Sequence, residues 1–215
     1  MTGQPYMAAR GLELKTLAGY AYKGVDLEVS KGELFAVRGR NGSGKTALLL
    51  TLAGRMKPTG GTLVVGGFDL PKQRAKVGRR VGLGVFAGLN ELQESLTAMY
   101  AVGAEFELFG RKPKREQVVG YMRAWGIDDV ADVRIKDLTA EKMAQLGIAL
   151  AFAGDPDAVV IDDIEDQLTM SQSEGLMELL HRSARERDVA IVVGVVERAL
   201  AEMADDRIYL AKEGE

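Results

Sequence analysis

The spacing of apolar positions changes character twice along this chain. Over the first 86 residues they fall in short runs broken by turn residues, as in strands. "LELKTL" (12–17) and "YAYKGVDLEV" (20–29) predict two strands around a turn at Ala18-Gly19, and "GELFAVRG" (32–39) predicts a buried one. "GTLVVGG" (61–67) and "RRVGLGVF" (79–86) are two further candidates. Between them, "KTALLLTLAGRM" (45–56) spreads its leucines at helical intervals and meets a stop at Gly54. From about residue 88 to 154 the apolar period is helical, through "ELQESLTAMYAVGAEFELFG", "REQVVGYMRAWG" and "AEKMAQLGIALAFAG". Strand and helix then alternate again: "DAVVIDD", "SEGLMELLHRSARER", "VAIVVGVV", "ERALAEMA" and a last strand "RIYLAK". The pattern predicts an α/β core of residues 1–87 and 155–215, with a helical subdomain of residues 88–154 inserted into it. The basic stretch "GRKPKRE" (110–116) reads as a solvated turn between two of the inserted helices.

Bulk composition narrows the function more than the fold. With 215 residues, 47% of them hydrophobic and 27% charged, the chain can bury one ample core. A net charge of -3 argues against a broad nucleic-acid footprint, so no nucleic-acid partner is expected. The absence of cysteine excludes thiolate metal sites and cysteine nucleophiles, and it fits a reducing compartment. The start "MTGQPYMAARGLELK" lacks the basic-then-apolar order of a signal peptide. No apolar run approaches the roughly 20 residues that cross a bilayer, so a membrane role is expected to run through a partner.

The chemistry concentrates in "GRNGSGKT", residues 39–46. Gly39, four residues, then Gly44, Lys45 and Thr46 is the spacing of a phosphate-binding loop, or P-loop. Its glycines let backbone N–H groups close around phosphate oxygens, Lys45 reaches the terminal phosphates, and the Thr46 hydroxyl can ligate Mg²⁺. A strand before the loop and a helix after it supply the context such a loop needs. Gly39, Arg40, Asn41, Gly42, Ser43, Gly44, Lys45 and Thr46 are the expected ATP-binding residues.

Taken in order, the motifs resemble the nucleotide-binding subunit of an ATP-binding cassette (ABC) transporter, with the exporter-type branch the nearest. The series runs from "GRNGSGKT" through "VGLGVF", "LTAMYAVGAEFELFG" and "IKDLTAEKMAQLGIALAFAGDPDAVVIDD" to "MADDRIYLAKEGE". The resemblance implies a P-loop NTPase nucleotide-binding domain with an inserted helical subdomain, ATP and Mg²⁺ as cofactors, and a membrane-embedded permease as partner. It also implies a homodimer, or a heterodimer with a complete ATPase subunit, at the cytoplasmic face of the membrane. In the second carboxylate motif, "AVVI" delivers Asp162 to a strand end, where it joins Thr46 as the metal-site candidate. Asp163 stands where the family has its water-orienting glutamate, one methylene short. The plain alternative is that "DDIED" is an acidic turn at a strand end.

Elsewhere the catalytic pattern is eroded. Phe86 replaces the family's glutamine after the "VGLGV" strand, with Gln93 a weak substitute. Val195 or Val196 replaces the γ-phosphate histidine, and the chain's one histidine, His181, reads as a surface residue. Thr169 takes the place of an aspartate. Tyr20 or Tyr22 is available to stack on adenine. The family's Leu-Ser-Gly-Gly-Gln stretch opens a helix whose N-terminus grips a γ-phosphate bound to a second subunit. Here it reads "LTAEK", keeping a hydroxyl at Thr139 but placing Glu141 in the first turn. Two readings follow: a subunit that hydrolyses ATP weakly or with a partner's help, and a nucleotide-binding module that does not hydrolyse. A soluble P-loop kinase or GTPase fits poorly, since no Asn-Lys-x-Asp motif is present.

Overall fold

In the computed structural model, residues 4–17 and 19–211 are described; Ala18 of the expected turn and the tail from Lys212 lie outside them. An antiparallel sheet has the order β2-β1-β4-β5, built from β1 (Met7–Thr16), β2 (Gly19–Val29), β4 (Gly60–Val65) and β5 (Phe68–Leu70). A parallel sheet has the order β6-β7-β8-β3-β9, from β3 (Leu34–Arg38), β6 (Val81–Leu83), β7 (Ala158–Ile161), β8 (Ala190–Val195) and β9 (Asp206–Tyr209). Of the three inner strands, β7 and β8 are buried at every position. That burial on both faces is why "AVVI" and "AIVVGV" read as unbroken apolar runs. Short β5 and the four-residue helix α2 (Arg74–Val77) have no counterpart among the expected elements. Neither spans enough residues to show a period.

Alternation along β3 divides the interior into two clusters. Leu34 and Ala36 face one that includes residues of the inserted helices, while Phe35 and Val37 face one shared with the antiparallel sheet. Helix α1 (Lys45–Leu52) packs Leu48, Leu49 and Leu52 into the second cluster. Beyond β6, residues 91–96 are not helical, and α3 (Ala98–Leu108) starts only where Thr97 Oγ1 accepts from Tyr100 N. The start is therefore later than the apolar period suggests, because a capping side chain rather than periodicity sets it. Helices α4 (Arg115–Ala124) and α5 (Ala140–Phe152) follow. Phe106, Tyr121, Trp125 and Phe152 pack edge to face or tilted, at centroid distances of 4.9, 6.2 and 4.8 Å for successive pairs. The guanidinium of Arg187, at the end of α6 (Met170–Arg187), lies 4.8 Å from the Trp125 ring. Cation–π contact thus ties the inserted helices to the core.

His181 is not an idle surface residue. Its Nε2 lies 3.0 Å from Asp205 Oδ1, which also accepts from Arg185 at 3.0 Å, while Asp205 Oδ2 accepts from Leu34 N at 2.9 Å. Burial pushes the Asp205 carboxyl up, but the Leu34 N–H, His181 and Arg185 outweigh it and hold it below the usual range. The trio pins the approach to β9 (α7, Arg198–Glu202, precedes it) onto α6 and the start of β3.

Candidate nucleotide-binding site

The loop of residues 39–44 leaves β3 at the C-terminal edge of the parallel sheet and turns directly into α1. Gly39 N donates to Val195 O at 3.0 Å and Ser43 N to Arg40 O at 3.1 Å, which fixes both sides of the loop. Gly44 has φ 94, and a Cβ there would lie 1.9 Å from the Ala21 carbonyl oxygen. Only glycine fits, because the conformation and the close approach to β2 both exclude a side chain. Lys45 is buried, and its Nζ donates to Gly39 O at 2.7 Å and Arg40 O at 3.2 Å. The ammonium is thus gathered into the loop by carbonyl oxygens. Arg40, Asn41, Gly42 and Thr46 are exposed around it, and Ser43 is buried with no hydrogen-bond partner for its hydroxyl among the described residues.

Strand β7 brings Asp162 to the same edge, where its Oδ2 accepts from the Thr46 hydroxyl. These two groups are 116 residues apart in sequence. The other oxygen, Oδ1, is buried and has no hydrogen-bond partner among the described residues. Gly194 of β8 makes room for it, since a Cβ there would stand 2.7 Å from Oδ1. Burial raises the Asp162 pKa; the Thr46 hydroxyl and Lys45 pull it down, and Asp163 pushes it up further. A buried, incompletely satisfied carboxylate beside a threonine hydroxyl is a donor set suited to a hard divalent cation such as Mg²⁺.

That geometry carries a stability cost with a definite sign. Folding raises the Asp162 pKa, so the stability it contributes is full below the unfolded carboxylate range, near 4. It is lost as pH rises through the raised folded value. Asp162→Asn keeps an acceptor for Thr46 and removes the charge. At pH 7 without nucleotide, a gain of about 1 kcal/mol, typical in size for one replacement, should raise Tm by about 2–4 °C. The gain should vanish at pH 4. Scanning calorimetry at the two pH values measures it; an equal or lower Tm at pH 7 would contradict the burial argument.

The remaining candidates fall differently. Asp163 follows Asp162 on the same edge but adopts a left-handed backbone, φ 48, and its pKa is raised by partial burial and by Asp166. Phe86 points into the core at 1% exposure, so it presents nothing to the site. Its backbone N–H donates to Asn90 Oδ1 at 2.7 Å, and Asn90 Nδ2 donates to Gly84 O at 2.9 Å, a clamp that sequence spacing does not disclose. Gln93 is exposed on the same connection and lines neither cavity beside the strand ends. Where the resemblance implies a histidine, the N–H groups of Val196 and Glu197 donate to Glu165 Oε1 at 2.7 and 3.2 Å. Glu165 therefore binds the loop after β7 to the end of β8, another feature with no local signal. Thr169 caps α6 jointly with Gln172. Thr139 caps α5 by accepting from Lys142 N at 3.3 Å. The Glu141 carboxylate accepts from Gln172 Nε2 at 3.0 Å, linking the starts of α5 and α6. A cavity of about 190 Å³ beside Asp162 and Asp163 separates these strand ends from Ala140, Met143 and Gly147 of α5.

The two tyrosines also part company. Tyr22 is 4% exposed and its hydroxyl donates to Thr51 Oγ1 at 2.8 Å, inside the core. Tyr20 is half-buried, with Lys23 and Lys15 nitrogens 4.7 and 5.6 Å from its ring centre.

A parallel sheet with a glycine-rich loop at a strand's C-terminal edge, and a carboxylate from a neighbouring strand against the loop's threonine, defines a P-loop NTPase nucleotide-binding domain. The family model described as ABC transporter matches residues 22–165. The chain belongs to the ABC transporter family, as its ATP-binding domain. It is 27% identical to the ABC transporter ATP-binding protein NatA of Bacillus subtilis, over 88% of this chain and 78% of that protein. It is 32% identical to a probable anion import ATP-binding protein of Haloferax volcanii, over 94% of this chain and 75% of that one. It is 29% identical to the methionine import ATP-binding protein MetN of Ralstonia nicotianae, covering 91% of this chain but only 57% of that protein's length. Two solved structures share the fold. The dimeric ABC transporter cassette MJ0796 superposes with a TM-score of 0.82 at 24% identity, over 97% and 95% of the two chains. CbiO1 from Clostridium perfringens superposes with 0.82 at 20%, over 99% and 86%.

Proposed function

We propose that this chain is the ATP-binding subunit of an ABC-type membrane transporter, taking Mg-ATP through residues 39–46 with Thr46 and Asp162 as metal ligands. The observation that carries the reading is the contact of Thr46 with Asp162 in front of the buried Lys45 ammonium. Bound Mg²⁺ would offset phosphate charge and orient the terminal phosphate. For their part, the loop N–H groups and Lys45 hold the phosphates, and Asp162 holds the cation. Tyr20 is the residue we assign to adenine, since Tyr22 is committed to the core. The subunit works as two lobes, the core of residues 1–87 and 155–215 and the helical lobe of 88–154. A groove between them docks a permease at the inner face of the membrane. No helix among the described residues is long and apolar enough to cross a membrane. Direction of transport follows from the permease, and the import names among the relatives weigh against the exporter-type branch that the sequence suggests.

Hydrolysis is weak or depends on a partner subunit. Asp163 is the remaining base candidate, short by one methylene, while Phe86 and Val196 leave no side chain to orient water. A second reading, a nucleotide-binding module that never hydrolyses, is favoured by the same three positions and by Glu165 engaging the Val196 and Glu197 N–H groups. Phosphate release from the purified chain tests the choice. Turnover well below about 1 s⁻¹ is expected. Asp163→Glu should not restore it, since groups that act as a unit give non-additive losses. Turnover near 1 s⁻¹ in the unmodified chain would overturn the weak-hydrolysis account. Measurable but slow turnover favours the first reading over the second.

A further inference from the structure

The β7–β8 ladder ends with Ile161 opposite Val193, one residue short of Asp162. The β3–β8 ladder runs further, to Arg38 opposite Val195 at the start of the glycine loop. Past the shorter ladder, a side chain rejoins the two strand ends. Glu165 Oε1 accepts from Val196 N at 2.7 Å and from Glu197 N at 3.2 Å, and Oε2 accepts from Glu197 N at 3.3 Å. The end of β8 is in turn fastened to the approach to the glycine loop. Val195 O accepts from Gly39 N at 3.0 Å, and Val196 O accepts from Arg38 Nε at 3.2 Å. Val196 is therefore held on its N–H by the segment carrying Asp162 and on its carbonyl by the strand carrying the glycine loop. Glu165 itself sits in a tight turn, with Asp166 N donating to Asp163 O at 3.1 Å and Leu168 N to Glu165 O at 3.2 Å. Asp162 thus lies between two fastenings, the ladder pair before it and the Glu165 carboxylate after it.

We propose that Glu165 is a positioning residue for the metal: by accepting from the Val196 and Glu197 N–H groups it fixes Asp162 relative to residues 39–46, and so sets how much Mg²⁺ adds to nucleotide affinity. The inference rests on the reading above that Thr46 and Asp162 hold Mg²⁺. Mg²⁺ demands near-octahedral geometry at oxygen distances of about 2.0–2.1 Å, so a carboxylate fastened on one side only holds it less well. Phosphate held by the loop N–H groups and Lys45 does not draw on Asp162. The role therefore shows as a loss confined to the Mg²⁺-dependent part of binding. Charge offers a rival account, since Glu165 also adds a negative charge to the strand ends.

Two substitutions separate reach from charge. Glu165→Gln keeps the length and an acceptor oxygen but removes the charge, while Glu165→Asp keeps the charge and falls one methylene short. Ile164, buried in the cluster shared with the inserted helices, anchors the segment in either variant. Following Tm of the full chain against ATP concentration, in Mg²⁺ and in EDTA, yields both affinities, weak ones included, because a ligand's stabilisation grows with its concentration over Kd. The ratio of the two affinities should fall about tenfold in Glu165→Asp, the lower end of what losing a residue that orients a metal ligand costs. In Glu165→Gln the ratio should stay at the unmodified value, and affinity in EDTA should survive in Glu165→Asp. An unchanged ratio in Glu165→Asp would overturn the positioning role. So would an equal fall in Glu165→Gln, which would assign the effect to charge. No gain from Mg²⁺ in the unmodified chain would instead remove Thr46 and Asp162 as the metal site, and this inference with it.

Discussion

Lys45→Ala is expected to abolish Mg-ATP binding detectable by calorimetry. The Lys45 ammonium is the cation gathered inside the glycine loop, where it already holds the Gly39 and Arg40 carbonyls. Truncating one side of a buried, hydrogen-bonded charge pair costs about 2–5 kcal/mol, or roughly 30- to several-thousand-fold in affinity. The loss should appear in affinity more than in folding: the two carbonyl contacts of the side chain go with it, but backbone contacts of the loop such as Gly39 N to Val195 O remain. Unchanged binding by the variant, or no binding by the unmodified chain at millimolar nucleotide, would remove residues 39–46 as the ATP site.

The second large effect concerns Glu141. In the head-to-tail dimer that the resemblance implies, the start of α5 faces a phosphate bound to the other subunit. A carboxylate and a phosphate repel by about 4 kcal/mol per unit-charge pair at 4 Å with an effective dielectric near 20, before solvent screening. Unmodified chain should therefore show little ATP-driven association. Replacing Ala140 and Glu141 together by glycine should produce it. The replacement has two costs. Glycine in a first helical turn loses up to about 1 kcal/mol per residue, and Gln172 loses its carboxylate partner. Both are smaller than the repulsion removed, so the dimer should strengthen even as Tm falls. Sedimentation velocity with and without Mg-ATP measures the difference. Strong ATP-driven dimerisation of the unmodified chain would show that Glu141 lies clear of the phosphate and that "LTAEK" works as it stands.

Both predictions begin from motifs visible in sequence, but the structure changes what they mean. Glu141 looks like a free charge at a helix start, yet its carboxylate is engaged by Gln172, 31 residues on. Phe86, where the resemblance implies a glutamine, is a core side chain. Asp163 keeps a carboxylate where one is wanted, and its left-handed backbone adds a constraint on its aim that no substitution table conveys.

Local chemistry was enough to determine the order of the longer elements, though not the short β5 and α2. Unbroken apolar runs mark strands buried on both faces, and the glycine loop between a strand and a helix specifies its own shape through the backbone freedom of Gly42 and Gly44. Those properties involve residues close in sequence, so they leave a pattern in it. The site was decided at long range. Thr46 meets Asp162 across 116 residues, Glu165 meets the Val196 N–H across 31, and Tyr22 is withdrawn to Thr51 across 29. Such pairings depend on which strands lie side by side in the sheet and which helix starts converge. That packing is settled by burial of the whole core, and no spacing along the chain encodes it.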